Sequence, residues 1–181
     1  MRVRTRAAIL TATASALAAD RLATLPDIAA SAGVSRSTLH RYFTDRETLV
    51  YEATLDSIRI LAEIVDEAAL EQGPTAEAFR RFITALLSIA DRLLFLFAER
   101  ATLQNTPAEL NEDFLICLIE RGQQYGTFDP DLDATWIRHA LYGRLLQGCA
   151  DAMSGELPRH ALGEIVFRTL EGGARPISKR R

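Results

Sequence analysis

Residues 25–48 read LPDIAASAGVSRSTLHRYFTDRET, and the order of caps, turns and apolar positions in this stretch decides the fold. Thr24 is suited to cap a helix, and Pro26 is tolerated in that helix's first turn, where its missing N–H would have no partner anyway. Ile28, Ala29 and Ala32 give the segment an apolar face. Gly33 supplies a sharp turn in which a positive φ would penalise a Cβ. Val34 fills the angle after it, and Ser35 caps the next helix. Leu39 and Phe43, spaced i and i+4, face the core together. The opposite face then shows Arg36, Ser37, Thr38, His40, Arg41 and Tyr42: hydrogen-bonding groups and positive charge, with no carboxylate among them. Two short helices at a steep angle, the second with such a face, are the arrangement of a helix-turn-helix, which lays its second helix in the major groove of DNA; an ordinary helical corner is the alternative.

Working outward, helical periodicity runs through nearly the whole chain and strand signals are almost absent, so the fold class is all-α. A first helix is predicted over about Thr5–Ala19, a second from Thr24 to near Gly33, and a third from Ser35 to near Phe43. A long fourth helix is predicted to start at Thr44 or Asp45, where Thr44-Asp45-Arg46-Glu47 reads as a capping box, and Gly73-Pro74 stops it. A fifth is predicted from Thr75 to Arg100, with Phe79, Phe82, Leu86, Leu93 and Phe97 on a wide apolar arc. Thr106-Pro107-Ala108-Glu109 reads as another capping box, opening a helix that reaches Tyr125. Helices over about Asp133–Ser154 and Pro158–Glu171 complete an architecture of about nine. The expected division is a helix-turn-helix domain over 1–46, a helical ligand-binding and dimerisation domain over 47–176, and a disordered basic tail over 177–181.

The net charge of −3 hides an asymmetry: residues 1–46 carry +4 and the remainder −7. A basic nucleic-acid module joined to an acidic body fits this split, and so does surface scatter. Arg2, Arg4 and Arg6 form a basic arm before the first helix, suited to phosphate or minor-groove contact or else a charged disordered terminus. Cys117 and Cys149 lie in apolar helical segments outside any CxxC pair, which suits buried free thiols; oxidation sensing is the alternative. The first 19 residues lack the apolar core and cleavage site of a signal peptide, and no apolar run reaches the ~18 residues of a membrane span, so a cytoplasmic protein without membrane partners is expected. No glycine-rich phosphate loop, nucleophile elbow or metal-ligand spacing occurs, so neither an enzyme nor a cofactor is expected.

GVSRSTLHRYFTDRETL, residues 33–49, resembles the signature of the tetracycline-repressor (TetR) family of regulators, specifically over Ile9–Leu49 and more loosely along the whole chain. The resemblance implies an all-helical homodimer, whose first three helices bind operator DNA, whose middle helices enclose a ligand pocket and whose last two dimerise. It implies a repressor at a palindromic operator, released by a small apolar or aromatic molecule; the alternative is the same fold without a ligand, controlled by a protein partner. Carried over by position, Thr24 stands at a phosphate-contacting cap, and Arg36, Ser37 and Thr38 stand where base edges are read. His40 takes the place of a common tyrosine, Tyr42 a place often held by histidine, and Arg46 that of a phosphate-binding lysine. The chain departs from the pattern at Pro26, where some members read a base with arginine, and near Asp20-Arg21, where the usual glycine is missing.

In the body, Gly143 and Gly148 lie mid-helix, where glycine costs ~1 kcal/mol relative to alanine. With Leu162, Ile165 and Val166 on the next helix they mark a candidate dimer interface; close packing within one chain is the alternative. Phe95, Phe114, Cys117, Trp136 and Tyr142 are candidate pocket residues, though each also fits a plain core.

Overall fold

The structure, a computed structural model, describes residues 2–99 and 113–174. Within them run nine helices and no strand: α1 (Arg2–Ala19), α2 (Leu25–Ser31), α3 (Arg36–Tyr42), α4 (Arg46–Glu67), α5 (Thr75–Ser88), α6 (Ala90–Ala98), α7 (Asp113–Gln124), α8 (Ala134–Ser154) and α9 (Arg159–Ala174). The predicted cap at Thr106 and the basic tail lie outside the described residues.

By packing the chain divides into two units. Among the described residues, the first gathers those up to Ala62 together with Ile89–Glu99, and the second gathers Glu63–Ser88 and those from Asp113 onward. Sequence reading places a boundary after residue 46; packing groups α4 as far as Ala62, and α6, with the N-terminal helices. The core of the first unit shows why. Ile9, Leu10 and Leu17 of α1, Ile28 of α2, Leu39 and Phe43 at α3, and Leu49 and Ala53 of α4 are joined there by Phe95 and Leu96 of α6, all buried. Removing so much apolar surface from water, at about 25 cal/mol per Å2, is what holds seven-residue helices that would be marginal alone.

The second unit packs α5 against α7 and α9, and α8 against α7 and α9. Phe79 meets Phe128 edge-on with ring centroids 5.0 Å apart, and Phe82 meets Phe114 at 5.7 Å. Leu141, Leu145 and Cys149 of α8 and Leu162, Val166 and Leu170 of α9 are buried.

Four element boundaries differ from the sequence expectation. The α1 helix begins at Arg2, so the basic arm is helical. It is also engaged: Arg6 pairs with Glu52 of α4 and lies 5.8 Å from the centre of the Phe43 ring. Asp45, rather than Thr44, caps α4, its Oδ1 accepting from the Thr48 N–H at 2.7 Å. The α4 helix ends at Glu67, short of Gly73. The carbonyls that follow it find a donor further along the chain, since the Arg81 guanidinium reaches those of Ala68, Ala69 and Gln72 at 2.9, 2.8 and 2.7 Å. Ala69, with φ 46°, makes the left-handed turn that glycine more often supplies. The predicted fifth helix is two, broken at Ile89. Its apolar arc is present, but Phe82 and Leu86 are buried in the second unit while Phe95 and Leu96 are buried in the first.

Candidate nucleic-acid interface

Two caps and one turn set α2 and α3. At α2 the Asp27 carboxylate accepts from the Thr24 N–H at 2.8 Å and from its hydroxyl at 2.6 Å, while the Asp27 N–H donates back to Thr24 Oγ1 at 3.4 Å. This reciprocal pair satisfies two donors the helix start leaves free. The Thr24 hydroxyl, with its backbone N–H, holds the Asp27 carboxyl below its ordinary value of 3.8. Gly33 follows at φ +65°, and a Cβ built there would meet nothing within 4 Å, so glycine is required by the backbone conformation and not by space. At α3 the Ser35 Oγ accepts from the Thr38 N–H at 3.1 Å. Its hydroxyl cluster also includes Thr38 Oγ1 at 2.9 Å and Ser37 Oγ at 3.0 Å. The Ser37 and Thr38 hydroxyls at the start of α3 are thereby held by its own cap.

Leu39 and Phe43 anchor α3 in the core. Arg36, Ser37, His40 and Arg41 are exposed on the other side, and Thr38 and Tyr42 are half-buried beside them. Arg41 lies 5.7 Å from the centre of the Tyr42 ring, and Tyr42 leans on Phe43 with centroids 6.5 Å apart. The result is a face of cations and hydroxyls without a carboxylate, which fits the acceptor-rich floor of a major groove and its phosphate walls. Thr24, Arg36, Ser37, Thr38, His40, Arg41 and Tyr42 all fall on α2, α3 or their caps, as the sequence places them. Arg46 is bound differently. Its two terminal nitrogens donate to the carbonyls of Ala23 at 2.6 Å and Arg21 at 3.1 Å. Sequence reasoning gives Arg21 no role; the signal available there is the missing glycine.

The remaining candidates separate. Phe95 is sealed in the core of the first unit, so it stands apart from the others. Phe114 and Cys117 meet in the second unit on a recess of about 340 Å3 shared with Val65, Leu70, Leu118 and Arg121. Trp136 is 65% exposed at the start of α8, and Tyr142 is half-buried. Cys149 is buried, whereas Cys117 is exposed, contrary to the expectation of two buried thiols. Of the interface candidates, Gly148 is explained inside the chain, because a Cβ there would lie 2.3 Å from Leu162 Cδ1. Leu162 and Val166 are buried with it. Gly143, in contrast, faces open space, and Ile165 is 40% exposed. Among the described residues no group of His, Cys, Asp or Glu is arranged to hold a metal ion, and no helix is long and apolar enough to cross a membrane.

Comparison with known proteins agrees with this geometry. Residues 9–53 match the model of the bacterial regulatory proteins of the tetR family. The chain is 33% identical over 141 residues to the HTH-type transcriptional regulator NfxB of Pseudomonas aeruginosa, covering 72% of each chain. It is 29% identical over 176 residues to the HTH-type transcriptional repressor LfrR of Mycolicibacterium smegmatis, covering 95% of this chain and 91% of that one. The crystal structure of LfrR in complex with proflavine superposes with a TM-score of 0.75 at 27% identity, over 97% of this chain and 99% of that one. With the helix-turn-helix, the all-helical body and a regulator 33% identical over most of both chains, this protein belongs to the TetR family of DNA-binding transcriptional regulators.

Proposed function

We propose that the chain is a cytoplasmic transcriptional repressor that binds a palindromic operator as a homodimer and leaves it when a small apolar or aromatic molecule binds its second unit. One observation carries the DNA half: the cap-ordered, acid-free outer face of α3, with Arg36, Ser37 and Thr38 reading base edges and Thr24, His40, Arg41 and Tyr42 at the backbone. For the dimer, Gly143 and Ile165 leave an open seam on α8 and α9, where a helix of a second copy would account for a glycine that nothing within the chain requires. For the ligand, the Phe114 and Cys117 recess lies within the size range of small-molecule sites, and a similar regulator, LfrR, was solved with proflavine.

Release by a ligand is a linkage statement. A molecule that weakens operator binding by some factor must itself bind the operator complex more weakly by the same factor. Proflavine serves as the probe, titrated by its own fluorescence against the protein alone. Binding that Phe114→Ala weakens supports the recess as the site. Binding unaffected by Phe114→Ala, or none at all, counts against it.

A further inference from the structure

Two arginines converge on the turn between α1 and α2. Residues 20–23 close it without glycine: the Leu22 N–H donates to Asp20 Oδ1 at 2.9 Å and the Ala23 N–H to the Asp20 carbonyl at 3.0 Å. Among the described residues the only non-glycine with positive φ is Ala69, so this turn carries no left-handed residue. Its conformation is held from outside. The fork of Arg46, at the first position of α4, spans the Arg21 and Ala23 carbonyls. The Arg21 side chain in turn donates to the carbonyl of Ala98 at 2.9 Å, the last residue of α6. A helix's last carbonyls have no partner within the helix and favour a cation. The residue after Ala23 is Thr24, the cap of α2.

We infer that Arg46 and Arg21 form a two-guanidinium clamp that positions the α1–α2 turn, and with it α2, for DNA binding, so that Arg46 acts through the turn and not as a phosphate contact. The inference rests on the DNA-binding reading above. The chemistry accounts for arginine at a place where the family resemblance leads one to expect lysine. A planar fork with two terminal nitrogens meets two carbonyls of one turn at once, whereas an ammonium is a compact point charge on a flexible stem. A phosphate would accept either cation. The two roles therefore differ in what lysine restores and in the dependence on salt.

The experiment uses the full chain and a duplex selected from a random-sequence pool by repeated binding to the wild-type protein. Affinity is measured over a salt series for wild type, Arg46→Ala, Arg46→Lys and Arg21→Ala, with thermal melts alongside. The clamp predicts operator affinity lowered roughly tenfold or more in all three variants, a difference of about 1.4 kcal/mol, with the slope of log K against log salt unchanged. Lysine does not rescue. The inference is overturned if Arg46→Lys restores wild-type affinity, or if Arg46→Ala flattens the slope by about 0.9 for each phosphate that the variant no longer neutralises. It is equally overturned if the variants melt earlier yet, while folded, bind as wild type does. Should Arg46→Ala fail to fold, Arg46→Lys and Arg21→Ala decide by the same readings. Absence of DNA binding by the wild type itself would instead sink the reading on which the inference rests.

Discussion

Gly143 offers a sharp test of the dimer, because its own chain gives it no reason to be glycine. It sits near the middle of α8, is exposed, and a Cβ added there meets nothing within 4 Å. In an isolated protomer Gly143→Ala should therefore gain the full difference in helix propensity, about 0.8–1.0 kcal/mol. If a partner helix lies against this glycine, bulk inserted there overpacks the interface and costs about 1–3 kcal/mol. For Gly143→Leu this becomes a dimer weakened about 5- to 150-fold. Gly148→Leu is the control, since even a Cβ there would lie 2.3 Å from Leu162 Cδ1 inside one chain, so a whole leucine side chain should lower protomer stability whatever the oligomeric state. Sedimentation equilibrium across the micromolar range gives the association constant, and denaturant melts at two protein concentrations separate protomer from dimer stability. The expected pattern is a wild-type dimer, a dissociating Gly143→Leu whose protomer remains folded, and a destabilised Gly148→Leu. A monomeric wild type, or a Gly143→Leu that associates as tightly as wild type, refutes the reasoning.

Two further outcomes follow from the DNA-binding helices and their caps. Gly33→Ala should destabilise the protein by roughly 1–2 kcal/mol, the ordinary cost of a Cβ in the left-handed region; because the space around it is open, Gly33→Asn should recover part of this in denaturant melts. The carboxyls of Asp27 and Asp45 are both held below the ordinary 3.8, the first chiefly by the Thr24 hydroxyl and the second chiefly by the Thr48 N–H. A group depressed in the folded state stabilises fully above its unfolded value and loses that contribution as pH falls through the folded one. Acid melts should therefore show stability flat above about pH 5 and falling below the ordinary carboxylate range, less steeply in the Asp27→Asn, Asp45→Asn double variant; equal steepness in both proteins would contradict the assigned bonds.

What is legible in the sequence is what local chemistry determines. Thr24, Gly33 and Ser35 mark caps and a turn whose residues are chosen by backbone geometry within three positions, and all three act in the structure as read. The outer face of α3 follows from the i, i+4 anchors Leu39 and Phe43. What escapes depends on partners distant in sequence. The end of α4 is settled by Arg81, and the break at Ile89 by a change of core, which leaves the apolar arc intact and so invisible to periodicity. Gly143 and Gly148 look alike in the sequence; only the position of Leu162 tells them apart. Arg46 likewise offers a cation at a helix start, and its carbonyl partners appear only when the α1–α2 turn is folded back onto it.

Whether the α3 face reads DNA sequence is measured most directly by binding of wild type and Arg36→Ala to the selected duplex and to a scrambled duplex of the same composition. Fluorescence anisotropy at one fixed, moderate salt concentration is sufficient. Wild type is expected to prefer the selected duplex, and Arg36→Ala to lose about 1–3 kcal/mol of that preference, the value of a good base contact, while keeping most of its affinity for the scrambled one. A wild type without preference, or an Arg36→Ala protein that retains the full preference, would contradict sequence readout by α3.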